Sequence, residues 1–238
     1  MDQPTPTCKN CESLLPEGVK FCPECGQQSQ VHRLDMHHIL HELIHVFTHA
    51  DKGIFFLTKE LVLRPGIVAK EYVAGKRKKY FNPFSYLVLT VAVSAFLTNY
   101  FHLLDIDLQR TTPANALVTK NINLIFLVAV PITSFFSWLL FRRSGYNYAE
   151  NLTQHAFMGG FRVFFFILLY TPLVVFFRQY YFSVLSIYLM AWIAFLAWAN
   201  IQFYGGNKFL SVLKTVLSVV LTQVVVTTLI FIAIRLVH

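Results

Sequence analysis

Charged residues are scarce in this chain of 238 residues: only 13% are Asp, Glu, Lys or Arg, against about a quarter in soluble proteins. Hydrophobic residues make up 55%, with 24 Phe and 11 Tyr, and the mean hydropathy is +0.53. This balance excludes an ordinary soluble domain. It indicates that a lipid bilayer surrounds most of the chain.

Acidic residues are the rarer charge, with 12 Asp and Glu against 20 Lys and Arg, which gives a net charge of +8. The basic residues lie beside the long apolar segments, where anionic headgroups and the positive-inside rule place them. We therefore expect contact with anionic lipid and no nucleic-acid partner. The apolar segments hold no chain of acidic residues for an ion path, so a small carrier or channel is only a weaker alternative.

Cysteine is limited to Cys8, Cys11, Cys22 and Cys25, two CxxC pairs with the spacing of a tetrahedral zinc site. In the second pair Gly26 is expected at positive φ, whereas Glu12 occupies the matching place in the first. Two disulfides are the alternative, but residues 2–30 contain no apolar run typical of a signal peptide. We expect thiolates in the reducing cytosol holding one structural Zn²⁺, which lowers the net charge to about +6.

Five segments are long and apolar enough to cross a bilayer as helices. They cover residues 84–104, 122–141, 159–177, 180–200 and 212–237. Asn82 is predicted to cap the first, with Pro83 at its first position. The third and fourth form a tight hairpin, or alternatively a re-entrant pair. Within the spans, Arg162 is expected near a cytosolic end, where it snorkels, and Gln223 is expected to hydrogen-bond between helices.

Lysine and arginine predict the orientation. With a cytosolic N-terminus, eight lie on the cytosolic side: Lys76, Arg77, Lys78, Lys79, Arg142, Arg143, Lys208 and Lys214. Four lie on the other side: Arg110, Lys120, Arg178 and Arg235. The asymmetry and the odd number of spans predict a cytosolic N-terminus and an external C-terminus.

Residues 36–50 form an amphipathic pattern, with an apolar face opposite a face rich in histidine. Inside it, His41, Glu42 and His45 match HExxH, in which two imidazoles bind zinc and the Glu is a general base. A polar face built of histidine produces this spacing by itself, so a solvated face is favoured. A second metal on His41, His45 and His49 is the alternative, with Glu60 and Glu71 as other candidate third ligands.

Two shorter helices are expected at residues 54–63 and 67–74, separated by the turn Arg64-Pro65-Gly66. A basic segment, Lys76-Arg77-Lys78-Lys79, then leads to the first span. Its side chains and Arg64 are predicted to contact lipid phosphates. The alternative for the basic segment is a purely topogenic positive flank.

Several motifs in residues 8–90 together resemble a known family. They are the two CxxC pairs, Asp51-Lys52-Gly53, Arg64-Pro65-Gly66, Tyr72-x2-Gly75-Lys76-Arg77 and Tyr80-Phe81-Asn82-Pro83. The chain resembles the domain of unknown function 3667 family of bacterial membrane proteins. That resemblance implies a zinc ribbon and a multi-pass architecture in a bacterial envelope, and it assigns no catalytic residues.

The sequence thus predicts an all-α membrane protein in three parts: a cytosolic zinc ribbon at 1–31, juxtamembrane amphipathic helices at 32–82 and a five-helix bundle at 83–238. We expect residence in a bacterial inner membrane. The expected role is binding, assembly or regulation, with the ribbon as a docking module for a cytosolic protein. A membrane metalloenzyme with Glu42 as its base is the rival hypothesis.

Overall fold

The computed structural model describes residues 7–37, 39, 53–100, 118 and 121–237. Its regular elements are helices, together with two isolated β-bridges near the N-terminus. The α-helices are α1 (Gly53–Leu63), α2 (Pro65–Val73), α3 (Pro83–Tyr100), α4 (Ile122–Leu140), α5 (Tyr148–Phe165), α6 (Thr171–Phe176), α7 (Tyr181–Tyr204) and α8 (Lys208–Val237). A π-helical turn, Phe166–Tyr170, makes α5 and α6 one continuous rod.

In the part of the chain that the structure describes, five helices are long and apolar enough to cross a membrane, as predicted, which is consistent with a multi-pass membrane protein. They are Pro83–Tyr100, Ile122–Leu140, Tyr148–Phe176, Tyr181–Tyr204 and Lys208–Arg235. The third and fourth have 29 and 24 residues, enough for a complete crossing each, which favours spanning helices over a re-entrant pair.

The third span begins eleven residues before the predicted start at residue 159, because a capping box starts the helix there. The Asn147 side chain accepts the Glu150 N–H (2.9 Å), and the Glu150 carboxylate accepts the Asn147 N–H (2.8 Å). Arg162 consequently lies fourteen residues after Tyr148 and fourteen before Phe176, so its predicted place near a helix end is wrong.

The start of α3 agrees with the prediction, since Asn82 Oδ1 accepts the N–H groups of Phe84 (2.9 Å) and Ser85 (3.2 Å). Helix α2, in contrast, begins at Pro65 rather than at residue 67. Proline has no N–H to lose at a first helical position, so it starts this helix instead of only ending the one before.

The main apolar core lies around the first turns of α3 and α5 and the last turns of α7. Short helices α1 and α2 pack there against α5 and α7, as shown by the edge-on contact between Tyr72 and Phe157, whose ring centroids are 5.4 Å apart. Gly66 allows α2 to approach α7 closely, because a Cβ there would lie 2.6 Å from Cβ of Gln202. Helix α1 keeps a second, exposed apolar face that includes Phe55 and Leu63.

Candidate metal centre and its polar surroundings

The four cysteines lie in two turns that repeat the same backbone pattern fourteen residues apart. In the first, the Cys8 N–H donates to the carbonyl of Ser13 (2.9 Å) and the Glu12 N–H to that of Cys8 (2.9 Å). In the second, the Cys22 N–H donates to Gln27 (2.7 Å) and the Gly26 N–H to Cys22 (2.8 Å). Isolated bridges close both turns, Thr7 with Leu14 and Phe21 with Gln28.

Glu12 and Gly26 take the same place in the two turns and the same left-handed backbone conformation. Their φ angles are +64° and +70°, and Glu12 alone among the described non-glycine residues has a positive φ. The expectation for Gly26 is therefore confirmed. Glu12 adopts the left-handed conformation that glycine prefers, at a cost of about 1–2 kcal/mol. The first turn therefore has the same backbone shape as the second, although it has no glycine at this place.

The two turns bring the four sulfur atoms together. All four lie within 4.8 Å of one another, with Sγ separations of 3.6 Å for Cys8–Cys25 and for Cys11–Cys22. A tetrahedral Zn²⁺ with Zn–S bonds of about 2.3 Å needs sulfur atoms about 3.8 Å apart. The cysteines are free thiols and not the alternative disulfides, so this cluster could hold a metal ion.

Ser13 provides a polar contact inside the cluster. Its hydroxyl hydrogen-bonds with the sulfur atoms of Cys11 (3.0 Å) and Cys22 (3.2 Å). The contact lowers the pKa of both thiols, that of Cys22 to about 6 with help from backbone N–H groups. The Gln27 backbone favours the Cys25 thiolate, but burial and the neighbouring thiols raise the pKa of Cys25 to about 11. The cluster thus already favours some of the thiolates that a metal requires.

The cysteine turns and the basic segment contact each other. The Gln27 side chain, nearly buried, accepts the Lys78 backbone N–H (3.0 Å), while its own carbonyl closes the second turn. Arg77 donates to the carbonyl of His32 (2.7 Å), and Lys76 lies 3.8 Å from the Glu12 carboxylate. Residues of the segment predicted to bind lipid thus contact the N-terminal turns and help to hold them in place.

The remaining predicted lipid-phosphate residues, Arg64 and Lys79, belong to an ion-pair cluster. Arg64 pairs with Glu60, at 2.7 Å through Nε, and with Glu71 at 3.4 Å. Lys79 donates to Glu71 (2.7 Å), as does the Tyr80 hydroxyl (2.5 Å). Contact of Arg64 and the basic segment with lipid phosphate stays a prediction.

The charges and hydrogen bonds of this cluster favour the ionised form of the Glu71 carboxylate. Burial alone would raise the pKa of Glu71, but the hydrogen bonds from Lys79 and Tyr80 outweigh it and lower that pKa. Burial and the Glu71 carboxylate raise the pKa of Tyr80 to about 12. Tyr80 therefore stays a hydrogen-bond donor at neutral pH.

The HExxH residues His41, Glu42 and His45, and also His49, lie outside the described residues. Of the predicted amphipathic helix, Met36, His37 and Ile39 are helical, and Ile39 belongs to the main core with 1% exposure. The second metal site stays a prediction, as does the solvated histidine face.

A buried polar chain that sequence reasoning missed connects three helices. Gln154 of α5 donates to Asn200 of α7 (2.7 Å), and Asn200 donates to Thr215 of α8 (2.9 Å). The Tyr204 hydroxyl contacts Asn151, also on α5. Gln154, Asn200 and Thr215 are fully buried. The polar residues within 150–155 were the available signal, but hydropathy placed the third span after them, at residue 159, and their partners are distant in sequence.

The two polar residues singled out within the spans differ from expectation. Gln223 is exposed and donates to Thr227 of its own helix (3.2 Å), so the predicted bond between helices is absent from the described part. Arg162 lies over the rings of Phe126 (4.8 Å to the centroid) and Trp192 (5.5 Å). Aromatic rings, not a helix end, therefore accommodate this cation.

Fold and cysteine cluster together define a helical, membrane-type protein with a cluster that could bind metal. Residues 51–95 match the model of a family described as Protein of unknown function (DUF3667). The match confirms the domain of unknown function 3667 family for this segment, which contains the whole ion-pair cluster. No curated protein and no solved structure matches the chain.

Proposed function

We propose that this chain is a multi-pass protein of a bacterial inner membrane whose cytosolic N-terminal turns form a zinc ribbon that docks a cytosolic protein. The repeated turns around four sulfur atoms carry the proposal, because their spacing fits tetrahedral zinc. Four cysteine ligands close the coordination sphere, so the metal would be structural rather than catalytic.

The exposed surface of the ribbon supports a docking role. Leu14 and Phe21, which enter the bridges that close the two turns, are 66% and 56% exposed. The contacts of Gln27 with the basic segment would hold this surface at a fixed place beside the membrane. A bound partner would thereby be kept at the cytosolic face of the bundle.

Metal analysis of the purified protein by mass spectrometry tests the zinc assignment. We expect one zinc per chain, and none in Cys22→Ser. A zinc content that is unchanged in this variant would refute the ribbon, whereas two zinc ions per chain in the unmodified protein would favour the metalloenzyme.

Docking is tested with a photo-crosslinking residue at position 21 and, as a control, at the exposed position 17. A single cytosolic protein should be captured at position 21, should be lost in a Cys22→Ser background and should not be captured at position 17. Zinc binding without any such adduct would contradict the docking role.

The orientation has its own test. A reporter that is active only in the cytosol, fused after His238, should give no signal, because the distribution of Lys and Arg predicts an external C-terminus. A strong signal there would reverse the proposed topology or change the number of crossings.

The substitution Glu42→Gln distinguishes the metalloenzyme from the docking protein. It preserves side-chain shape but removes a general base that contributes on the order of 10²–10⁴ in rate. We expect cells to tolerate this change without loss of function. A folded Glu42→Gln protein that keeps its ribbon zinc yet behaves like a deletion would establish the alternative.

A further inference from the structure

A cavity of about 320 Å³ lies where the N-terminal turns meet the membrane domain. Its walls come from separate parts of the chain: Lys9 of the first cysteine turn, residues 31–33 after the second turn, the end of α2 and residues 144–146 before α5. Such a volume is at the lower end for small-molecule sites. The cavity therefore suits a small ligand held between the two parts.

The charged groups that line the cavity leave it positive. Arg33 forms a bidentate pair with the nearly buried Glu150, through Nε to Oε1 and Nη2 to Oε2, both at 2.7 Å. Glu150 Oε2 also accepts the Asn147 N–H (2.8 Å). Three protein donors thus engage the carboxylate, while Lys9 adds a second cation and His32 an imidazole ring.

Hydrogen-bond donors remain available on this lining. The Lys9 ammonium makes one long contact with the Val31 carbonyl (3.3 Å), which uses one of its three N–H groups. Arg33 also donates from Nη2 to the Gly145 carbonyl (2.7 Å), so the two N–H groups of Nη1 remain, and 61% of its side chain is exposed. Among the described residues, the Tyr146 hydroxyl has no hydrogen-bond partner, and burial raises its pKa, so it stays a donor at neutral pH.

The other walls are apolar or nearly so. Val31, Val73 and Ala74 line the cavity, and the Tyr146 ring stacks on Phe203, with centroids 4.3 Å apart, which fixes its position. A ligand that fits must therefore combine an anionic group with several acceptor oxygens and a short, less polar body. A phosphate ester has both parts, and a phosphate accepts from more donors than a carboxylate.

We propose that this cavity binds a phosphate ester of about the size of glycerol phosphate, either free in the cytosol or as the headgroup of an anionic lipid. The site is separate from the cysteine cluster and needs no zinc chemistry. The cavity lies beside the basic segment, which suits a lipid headgroup. Because several segments of the chain together form its walls, a small soluble ligand would fit it equally well. Both sources share the recognition chemistry, so two probes are required.

The experiment uses the full chain purified in an uncharged detergent. Glycerol 3-phosphate is titrated by calorimetry, with glycerol as the uncharged control, and retained phosphatidylglycerol is measured by native mass spectrometry after extraction from nanodiscs. Lys9→Gln removes a cation from the cavity, and Ala74→Phe fills it without changing charge. Lys20→Gln is the matched control, an exposed lysine of the ribbon that does not line the cavity.

We expect at least one phosphate probe to bind, about two- to fivefold more weakly in Lys9→Gln, as is typical of one exposed charged contact. Ala74→Phe should abolish that binding and Lys20→Gln should leave it unchanged. Binding of glycerol 3-phosphate identifies a soluble source, and retention of phosphatidylglycerol alone identifies a headgroup. The proposal fails if neither probe binds, if glycerol binds equally well, or if Lys20→Gln weakens binding as much as Lys9→Gln.

Discussion

The cysteine turns and the helical bundle are built on different physical principles. Among the described residues of the turns, Cys8, Leu15 and Cys22 form the buried apolar cluster, with Val19 and Cys25 partly buried against it, which is far too small to stabilise a fold. Their shape comes from a backbone pattern used twice around four sulfur atoms. In the bundle, a continuous apolar core and buried amides join helices that are distant in sequence. The turns should therefore depend on metal, and the bundle on contacts between helices.

Losing one metal ligand should give the largest difference between the two regions. Cys22→Ser is expected to unfold the N-terminal turns almost completely, because metal binding supplies about 10–16 kcal/mol in small zinc domains. Limited proteolysis should cleave residues 1–28 rapidly while the bundle stays intact. Glu24→Gln, between the two cysteines of the second turn, is the control that keeps every ligand. Simultaneous loss of the bundle would show that the two regions fold as one.

A glycine contact in the bundle should give the next largest effect. A Cβ at Gly66 would lie 2.6 Å from Cβ of Gln202 and 2.8 Å from the backbone nitrogen of Phe203, so Gly66→Ala must push α2 away from α7. We expect a loss of about 2–3 kcal/mol in thermal unfolding followed by near-UV circular dichroism. Gly53→Ala is the matched control, since its Cβ would meet Phe81 at an ordinary 3.7 Å. Equal stability of the two variants would contradict the close packing.

Removing the central amide of the polar chain should have a moderate effect. Asn200→Leu removes the acceptor of the Gln154 amide N–H and the donor to the Thr215 hydroxyl, and we expect a loss of about 1–2 kcal/mol in the same unfolding measurement. Adding Gln154→Leu should cost less than its separate effect, because the two residues form one network. Gln223→Leu, at an exposed amide, should change little. Strict additivity of the two substitutions would argue against a connected chain.

The same contrast explains how far the sequence could predict the structure. The cysteine spacing is local, so the four-sulfur cluster and the left-handed Gly26 were predictable, and hydropathy sufficed for five candidate spans. The start of the third span was not predictable from hydropathy. Asn151 and Gln154 are polar residues that hydropathy does not assign to a span. Their hydrogen-bond partners, Tyr204 and Asn200, lie on α7, which the local sequence does not reveal.

Long-range placement also limited the predictions for charged residues. Arg64 and Lys79 were predictable as basic residues near the membrane, but their pairing with Glu71 depends on how α2 packs beside the basic segment. Arg162 was placed near a helix end because the helix start was wrong. Its contacts with Phe126 and Trp192 come from two other helices, which no local pattern indicates.

Replacing Glu12, the left-handed residue of the first cysteine turn, should give the smallest effect, and in the opposite direction. Glu12→Gly removes the cost of a positive φ, offset in part by the greater freedom of glycine in the unfolded chain, and should stabilise the turns by about 0.5–1 kcal/mol. Because metal binding and folding are linked in so small a unit, zinc affinity in a chelator competition should rise about two- to fivefold.

Glu12→Gln is the control: it keeps the strained backbone and removes only the exposed contact with Lys76, which adds little. Gly26→Ala, at the equivalent place in the second turn, should weaken zinc binding. If Glu12→Gln raised the affinity as much as Glu12→Gly, charge rather than backbone conformation would distinguish the two turns.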